Sequence, residues 1–163
     1  MTKEIRLTQG KVALVDDVLF GWLNQFKWFF RKDGYVAKSI YNKLTGERKQ
    51  IRMHREIMNF PDGMEIDHIN GDKLDNRREN LRICTMSQNR ANRGLQRNSS
   101  SGYKGVYFEE ARNKWRAQIE INNRRLHLGY FNNAEKAAFA YDTAAKKYFG
   151  EFAKLNFPEV KNV

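Results

Sequence analysis

The chain has 163 residues, 40% apolar and 13% aromatic, enough for one ordinary domain or two small ones and too apolar for wholesale disorder. Its 30 Lys and Arg against 19 Asp and Glu leave a formal charge of +11. That excess draws the protein toward polyanions, either nucleic acid or an anionic membrane surface. The only cysteine, Cys84, excludes an internal disulfide and any zinc site built on several cysteines, and within the run Leu81-Arg82-Ile83-Cys84 it reads as a small buried hydrophobe.

In chain order, Glu4–Leu7 and Lys11–Val15 read as short strands joined through Gln9-Gly10. Asp16 or Asp17 can cap a short helix that carries Leu19, Leu23 and Phe26 at helical spacing. An aromatic strand, Lys27–Arg31, then turns at Lys32-Asp33-Gly34 into Tyr35–Tyr41, and a second turn at Thr45-Gly46 leads to Lys49–Met53. Trp28, Phe29 and Phe30 read as core residues rather than a stacking platform for bases. His54–Met58 opens a short helix ended by Asn59-Phe60-Pro61. Strand Met64–Ile66, a turn at Asn70-Gly71, strand Leu81–Cys84 and a helix capped by Thr85 or Ser87 follow, the helix running to about Arg93.

The run Asn-Arg-Gly-Leu-Gln-Arg-Asn-Ser-Ser-Ser from Asn92 to Ser101 is polar, basic and poor in core residues, and reads as a linker. Beyond it, Tyr103–Phe108 is a strand, Lys114–Ile121 alternates strictly as a half-buried strand does, and Arg124–Leu128 is a third strand after Asn122-Asn123. Asn132 or Asn133 caps an Ala-rich helix from Ala134 to Phe149. The chain lacks an apolar run of the roughly 20 residues that span a bilayer, and its N-terminus lacks the core of a secretion signal. A cytoplasmic protein with no membrane partner is therefore expected, and nucleic acid is the better account of the charge.

The densest chemistry lies between Glu65 and Asn92. Asp67 and Asn89 offer a carboxylate and an amide carbonyl, hard oxygen donors that, with phosphate and water, suit Mg²⁺ or Mn²⁺ rather than zinc. His68 titrates near neutrality and can take a proton from water. Asn80 can bond the loop backbone and help orient His68. Asp72, Asp75 and Asn76 are read as turn-forming or solvated, and His54 as a packing residue or a phosphate contact.

Asp67-His68-Ile69-Asn70-Gly71-Asp72, Asp75-Asn76-Arg77-Arg78-Glu79-Asn80-Leu81-Arg82 and Asn89 together resemble the His-Asn-His nuclease motif in its homing-endonuclease branch. The resemblance covers about residues 50 to 92. It implies a ββα-metal finger that hydrolyses DNA phosphodiesters with one divalent ion per active site. Asp67 and Asn89 would be metal ligands, His68 the general base and Asn80 the loop organiser. The third motif position holds Asn rather than His, which bears on metal preference.

In the C-terminal part, Tyr103-Lys104-Gly105-Val106, Trp115-Arg116-Ala117-Gln118-Ile119, Leu128-Gly129-Tyr130-Phe131, Ala134–Asp142 and Leu155-Asn156-Phe157-Pro158 resemble the Apetala/ethylene-response-factor DNA-binding domain. Alternation puts Trp115, Ala117, Ile119 and Ile121 on one face and Arg116, Gln118 and Glu120 on the other, with Leu126 and Leu128 inward and Arg125 and His127 outward. The resemblance implies major-groove binding with Lys104, Arg116, Gln118, Arg125 and His127 as contacts. Tyr107 and His127 depart from that family's usual Arg and Trp, so the plant target sequence does not transfer.

The expected class is α+β: a β-rich N-terminal region, a ββα-metal nuclease finger, then a three-stranded antiparallel sheet packed on one helix. The expected domains are 1–92 (scaffold 1–53, finger about 54–92), a basic linker 93–101, the DNA-binding domain 102–158 and a tail 159–163. Arg77, Arg78, Arg82, Arg90, Arg93 and Arg97 would meet the phosphates of double-stranded DNA. The expected activity is site-specific cleavage by a monomer or weak dimer, nicking one strand per site. The alternative is a non-enzymatic DNA-binding regulator that keeps a degenerate finger as scaffold.

Overall fold

The computed structural model describes residues 1–59, 62–95 and 99–158. They form two compact units, the first from Met1 to Cys84 and the second beginning at Thr85. Both mix helix and strand around small antiparallel sheets.

In the first unit, β1 (Thr2–Arg6) pairs with β2 (Val12–Asp16), the turn being made by Gln9 and Gly10 at positive φ, 66° and 68°. Helix α1 (Asp17–Leu23) ends before Phe26, and Asp16 stands at its N-cap without capping it. The Asp16 carboxylate instead accepts the backbone N–H of Arg78 at 2.8 Å, a partner 62 residues away that local spacing does not reveal. Strands β3 (Phe29–Phe30), β4 (Val36–Tyr41) and β5 (Arg48–Arg52) form a sheet in that order. Trp28 is buried and donates its indole N–H to Leu23 O at 2.8 Å, which satisfies its polar atom inside the core.

Helix α2 (Met53–Met58) ends at Asn59, whose φ of 39° is left-handed, while Phe60 and Pro61 of the expected stop lie outside the described residues. Strands β6 (Glu65–His68) and β7 (Leu81–Cys84) pair with Asp67 opposite Arg82 and His68 opposite Leu81. Strand β6 therefore runs two residues beyond Ile66 and carries the Asp-His pair itself. One apolar core joins these elements: Ala13, Val15, Leu23, Trp28, Val36, Met53, Ile57, Ile66 and Leu81. Cys84 is buried as expected, and burial pushes its thiol up to about 11, the mark of an inert core residue.

The second unit opens with α3 (Met86–Asn92), held at its start by a capping box in which Gln88 N–H donates to Thr85 Oγ1 and Thr85 N–H to Gln88 Oε1. Its Ala91 packs in a cluster with Ile119, Tyr141 and Phe149. Its last carbonyls are covered as well: Ala91 O accepts Lys154 N–H and the Lys104 ammonium, and Arg93 O accepts the same ammonium at 2.7 Å. The division between the units thus falls at Thr85, ahead of the expected linker, of which Gln96, Arg97 and Asn98 lie outside the described residues.

Strands β8 (Val106–Glu109), β9 (Lys114–Ile121) and β10 (Arg124–Phe131) follow, with β9 central, and α4 (Ala134–Phe149) lies on the sheet through Ala137, Ala138 and Tyr141. Asn133 caps α4 by accepting Lys136 N–H at 2.9 Å. Strand β8 starts later than Tyr103 because Gly102 and Gly105 take positive φ. A Cβ on Gly105 would come 2.1 Å from the Tyr141 ring and 2.7 Å from Gln118 O, so the close approach of α4 to the sheet requires glycine. Strand β10 continues past Leu128 with a register break between His127 and Gly129. Buried Asp142 on α4 accepts Asn156 N–H and Phe157 N–H, tying the last described segment back to the helix.

Candidate functional site

Asp67 and His68 are each only 4% exposed. The Asp67 carboxylate accepts Nε and Nη2 of Arg82 at 3.0 and 2.8 Å from the facing strand. The His68 ring meets His54 of α2 edge-on, with centroids 5.0 Å apart at 82°, and lies 6.0 Å from the Tyr35 ring, which is itself 5.0 Å from His54. Burial holds His68 below its ordinary pKa, opposed first by the Asn76 side chain and then by Asp67. A buried imidazole of this kind is neutral at neutral pH, the state that accepts a proton. Burial, helped by His68 and nearby arginines, pushes His54 further, down to about 3.

The loop between β6 and β7 is held by its own amides. Asn80 Oδ1 accepts Asn70 N–H at 3.0 Å, and its Nδ2 donates to Asp75 O at 2.8 Å. Asp72 makes its turn as read, accepting Leu74 N–H. Asp75 and Asn76 are turn-forming but not solvated, at 2% and 0% exposure. The reason is tertiary: β2 lies alongside, with Leu14 N–H donating to Leu74 O and Asn76 N–H to Leu14 O. Asp75 accepts both Nε and Nη2 of Arg77, the principal reason its carboxyl sits below the usual range. Asn76 Nδ2 donates to Lys73 O and Leu74 O, which fixes its carboxamide beside His68.

The oxygen donors Asp67 and Asn89 match the preferences of a hard divalent ion. Among the described residues no group of three or more His, Cys, Asp or Glu is arranged to hold a metal. Asn89 lies on α3, in the second unit, whereas Asp67, His68 and Asn80 belong to the first.

The residues expected to touch DNA are placed variously. Arg77 is engaged by Asp75 and Glu79 and Arg82 by Asp67, while the Arg78 side chain donates to Ile57 O and its backbone N–H to Asp16. In the second unit a groove of about 870 Å³ is lined by Arg90, Arg93, Lys104, Gln118 and Arg125, with Tyr107 among them. The Lys104 ammonium points to the α3 carbonyls, and burial lowers it to about 8. Arg90 pairs with Glu120 at 3.0 Å, Arg116 with Glu109 at 3.2 Å, and Arg125 lies 3.8 Å from Glu120. His127 is exposed, its ring 4.6 Å from that of Tyr130. Arg97 lies outside the described residues.

Sequence reasoning missed Tyr35, Asn76 and the Asp67–Arg82 pair, and read His54 as packing or a phosphate contact without linking it to His68. Only the ion pair had a legible signal, since pairing the two strands puts Arg82 opposite Asp67.

Comparison with known proteins gives two separate family matches, the first of which runs across the division at Thr85. Residues 59–91 match the family model described as HNH endonuclease, and residues 101–151 match the AP2 domain. An uncharacterised HNH endonuclease of Acanthamoeba polyphaga mimivirus is 30% identical over 158 residues, 92% of this chain and 78% of the relative. Protein 3.8 of Escherichia phage T7 is 29% identical over 96 residues, 59% of this chain and 78% of its own. Dehydration-responsive element-binding protein 2D of Arabidopsis thaliana is 48% identical over 64 residues, 38% of this chain but 31% of the plant protein. The chain belongs to the HNH endonuclease family and carries an AP2 domain, a DNA-binding module.

Proposed function

We propose that this protein is a metal-dependent DNA endonuclease of the homing type, which hydrolyses phosphodiester bonds of double-stranded DNA inside the host cell. The observation that carries the reading is the buried His68 held beside Asp67 at the end of β6, with Asn80 bracing the loop that returns to β7. In it, His68 takes the proton of an attacking water, and the protein orients that imidazole through packing and the Asn76 carboxamide. Asp67 and Asn89 are the residues that would hold one Mg²⁺ or Mn²⁺, which when bound stabilises the charge on the phosphate and the leaving oxygen. Arg90, Arg93, Gln118 and Arg125 meet DNA along the groove of the second unit, and Arg116 and His127 do so on the outer sheet face. A monomer with one such site nicks a single strand.

A second reading, a DNA-binding regulator with a degenerate finger, is favoured by one observation. Arg82 already neutralises the Asp67 carboxylate that the ion would need. Supercoiled plasmid incubated with Mg²⁺ or Mn²⁺ separates the two. Nicking by the wild type and none by His68→Ala, with DNA affinity unchanged, is the expected result. Absence of nicking with either ion on DNA that the protein binds establishes the regulator.

A further inference from the structure

His54 is 3% exposed, and its Nδ1 has no hydrogen-bond partner among the described residues. Leaving such an atom buried costs free energy that an apolar residue of similar size would not lose in the same place. What the ring touches is specific. It stands edge-on to His68 at 5.0 Å and 82°, and at 5.0 Å from Tyr35, which also faces His68. His54 is carried by α2, a different element from the strand that carries His68, and α2 is anchored in the core through Met53 and Ile57. Pushed down to about 3, His54 stays uncharged near neutrality, so it can lie against the base without repelling its proton.

We propose that His54 is a positioning residue for His68: with Tyr35 it forms a wall of rings that fixes the imidazole in the one orientation from which it serves the water. This rests on the reading of His68 as general base. A base held loosely is a poorer catalyst though its chemistry is unchanged, because misplacement of about 1 Å lowers the rate by up to about 10²-fold. His54 acts through the orientation of His68 and makes no contact of its own with substrate.

The test uses the full chain. His54→Ala is expected to lower kcat about 10- to 100-fold with KM for plasmid DNA within about 3-fold of wild type. His54→Phe, which restores a ring, should recover kcat to within about 5-fold of wild type. The chain has 3 histidines, so the ring protons of His68 can be followed directly by NMR. In the wild type they should be sharp and shifted by the neighbouring rings, in His54→Ala broadened and moved toward free-histidine values, and in His54→Phe sharp again. If His54→Ala does not fold, His54→Leu, which keeps volume without a ring, replaces it with the same expected losses. Wild-type kcat in a folded ring-less variant, or unchanged His68 resonances, overturns the inference. A wild type that never nicks overturns the nuclease reading instead, and the NMR arm still decides whether His54 orders the His68 ring.

Discussion

Two residues show how far a single position can be pressed. Gly105 is where α4 comes closest to the sheet, and its positive φ compounds the lack of space. Gly105→Ala is expected to destabilise the second unit by about 3 kcal/mol or more, since overpacking and left-handed strain add. Thermal unfolding of the variant checks this, and a melting temperature equal to wild type would contradict it. His54 makes the first unit sensitive to acid. Its folded pKa of about 3 lies below its ordinary value, so the unfolded chain takes up a proton that the folded one refuses. That contribution is intact above about pH 6.5 and is lost as pH falls from there toward 3. Asp33, held at about 2 first by its bond to Arg31, is the opposite kind of group, and its contribution is lost only as pH falls from about 4 toward 2. Urea midpoints between about pH 7.5 and 4.5 should therefore decline, and His54→Phe should flatten the decline. An equal slope in the variant would show that another group sets it.

Among the elements, α3 is the one whose allegiance pattern reading does not reveal. Spacing and capping put it after β7, and Thr85 caps it as expected, but its buried face and last carbonyls are covered by residues from Lys104 to Lys154. A seven-residue helix is marginal on its own in water. A chain ended after Asn92 should therefore lose amide protection across α3 while keeping it in β6 and β7. Hydrogen exchange read by mass spectrometry checks this, and full protection of α3 in the shortened chain would show that the capping box suffices. The other elements were largely legible. The alternation in β9, the Asp33-Gly34 turn and the Ala-rich α4 are local patterns whose cause lies within a few residues. The ends were less so, because Gly102 and Gly105 delay β8 and the bulge after His127 prolongs β10.

At the scale of the whole molecule, the +11 charge makes binding to DNA an electrostatic matter first. Affinity for duplex DNA should fall linearly in log–log plots against salt. Arg125, whose side chain is 74% exposed, should contribute to that slope, and Arg125→Ala should reduce it by about one. Arg77 is engaged by Asp75, and Arg77→Ala should leave the slope nearly unchanged. Equal effects of the two substitutions in titrations across a salt series would show that ion pairing within the protein does not select the contacts.

What this sequence determined by itself is whatever local chemistry encodes: two modules, the order of most strands and helices, and the spacing that sets Asp67, His68, Asn80 and Asn89 apart. These follow from alternation, turn residues and donor types, which act over a few residues. Tertiary packing was needed to bury Asp75 and Asn76 against β2, to set Tyr35 and His54 around His68, and to pack α3 with the second unit. Those contacts join residues far apart in the chain, and only the closing of a shared core brings them together.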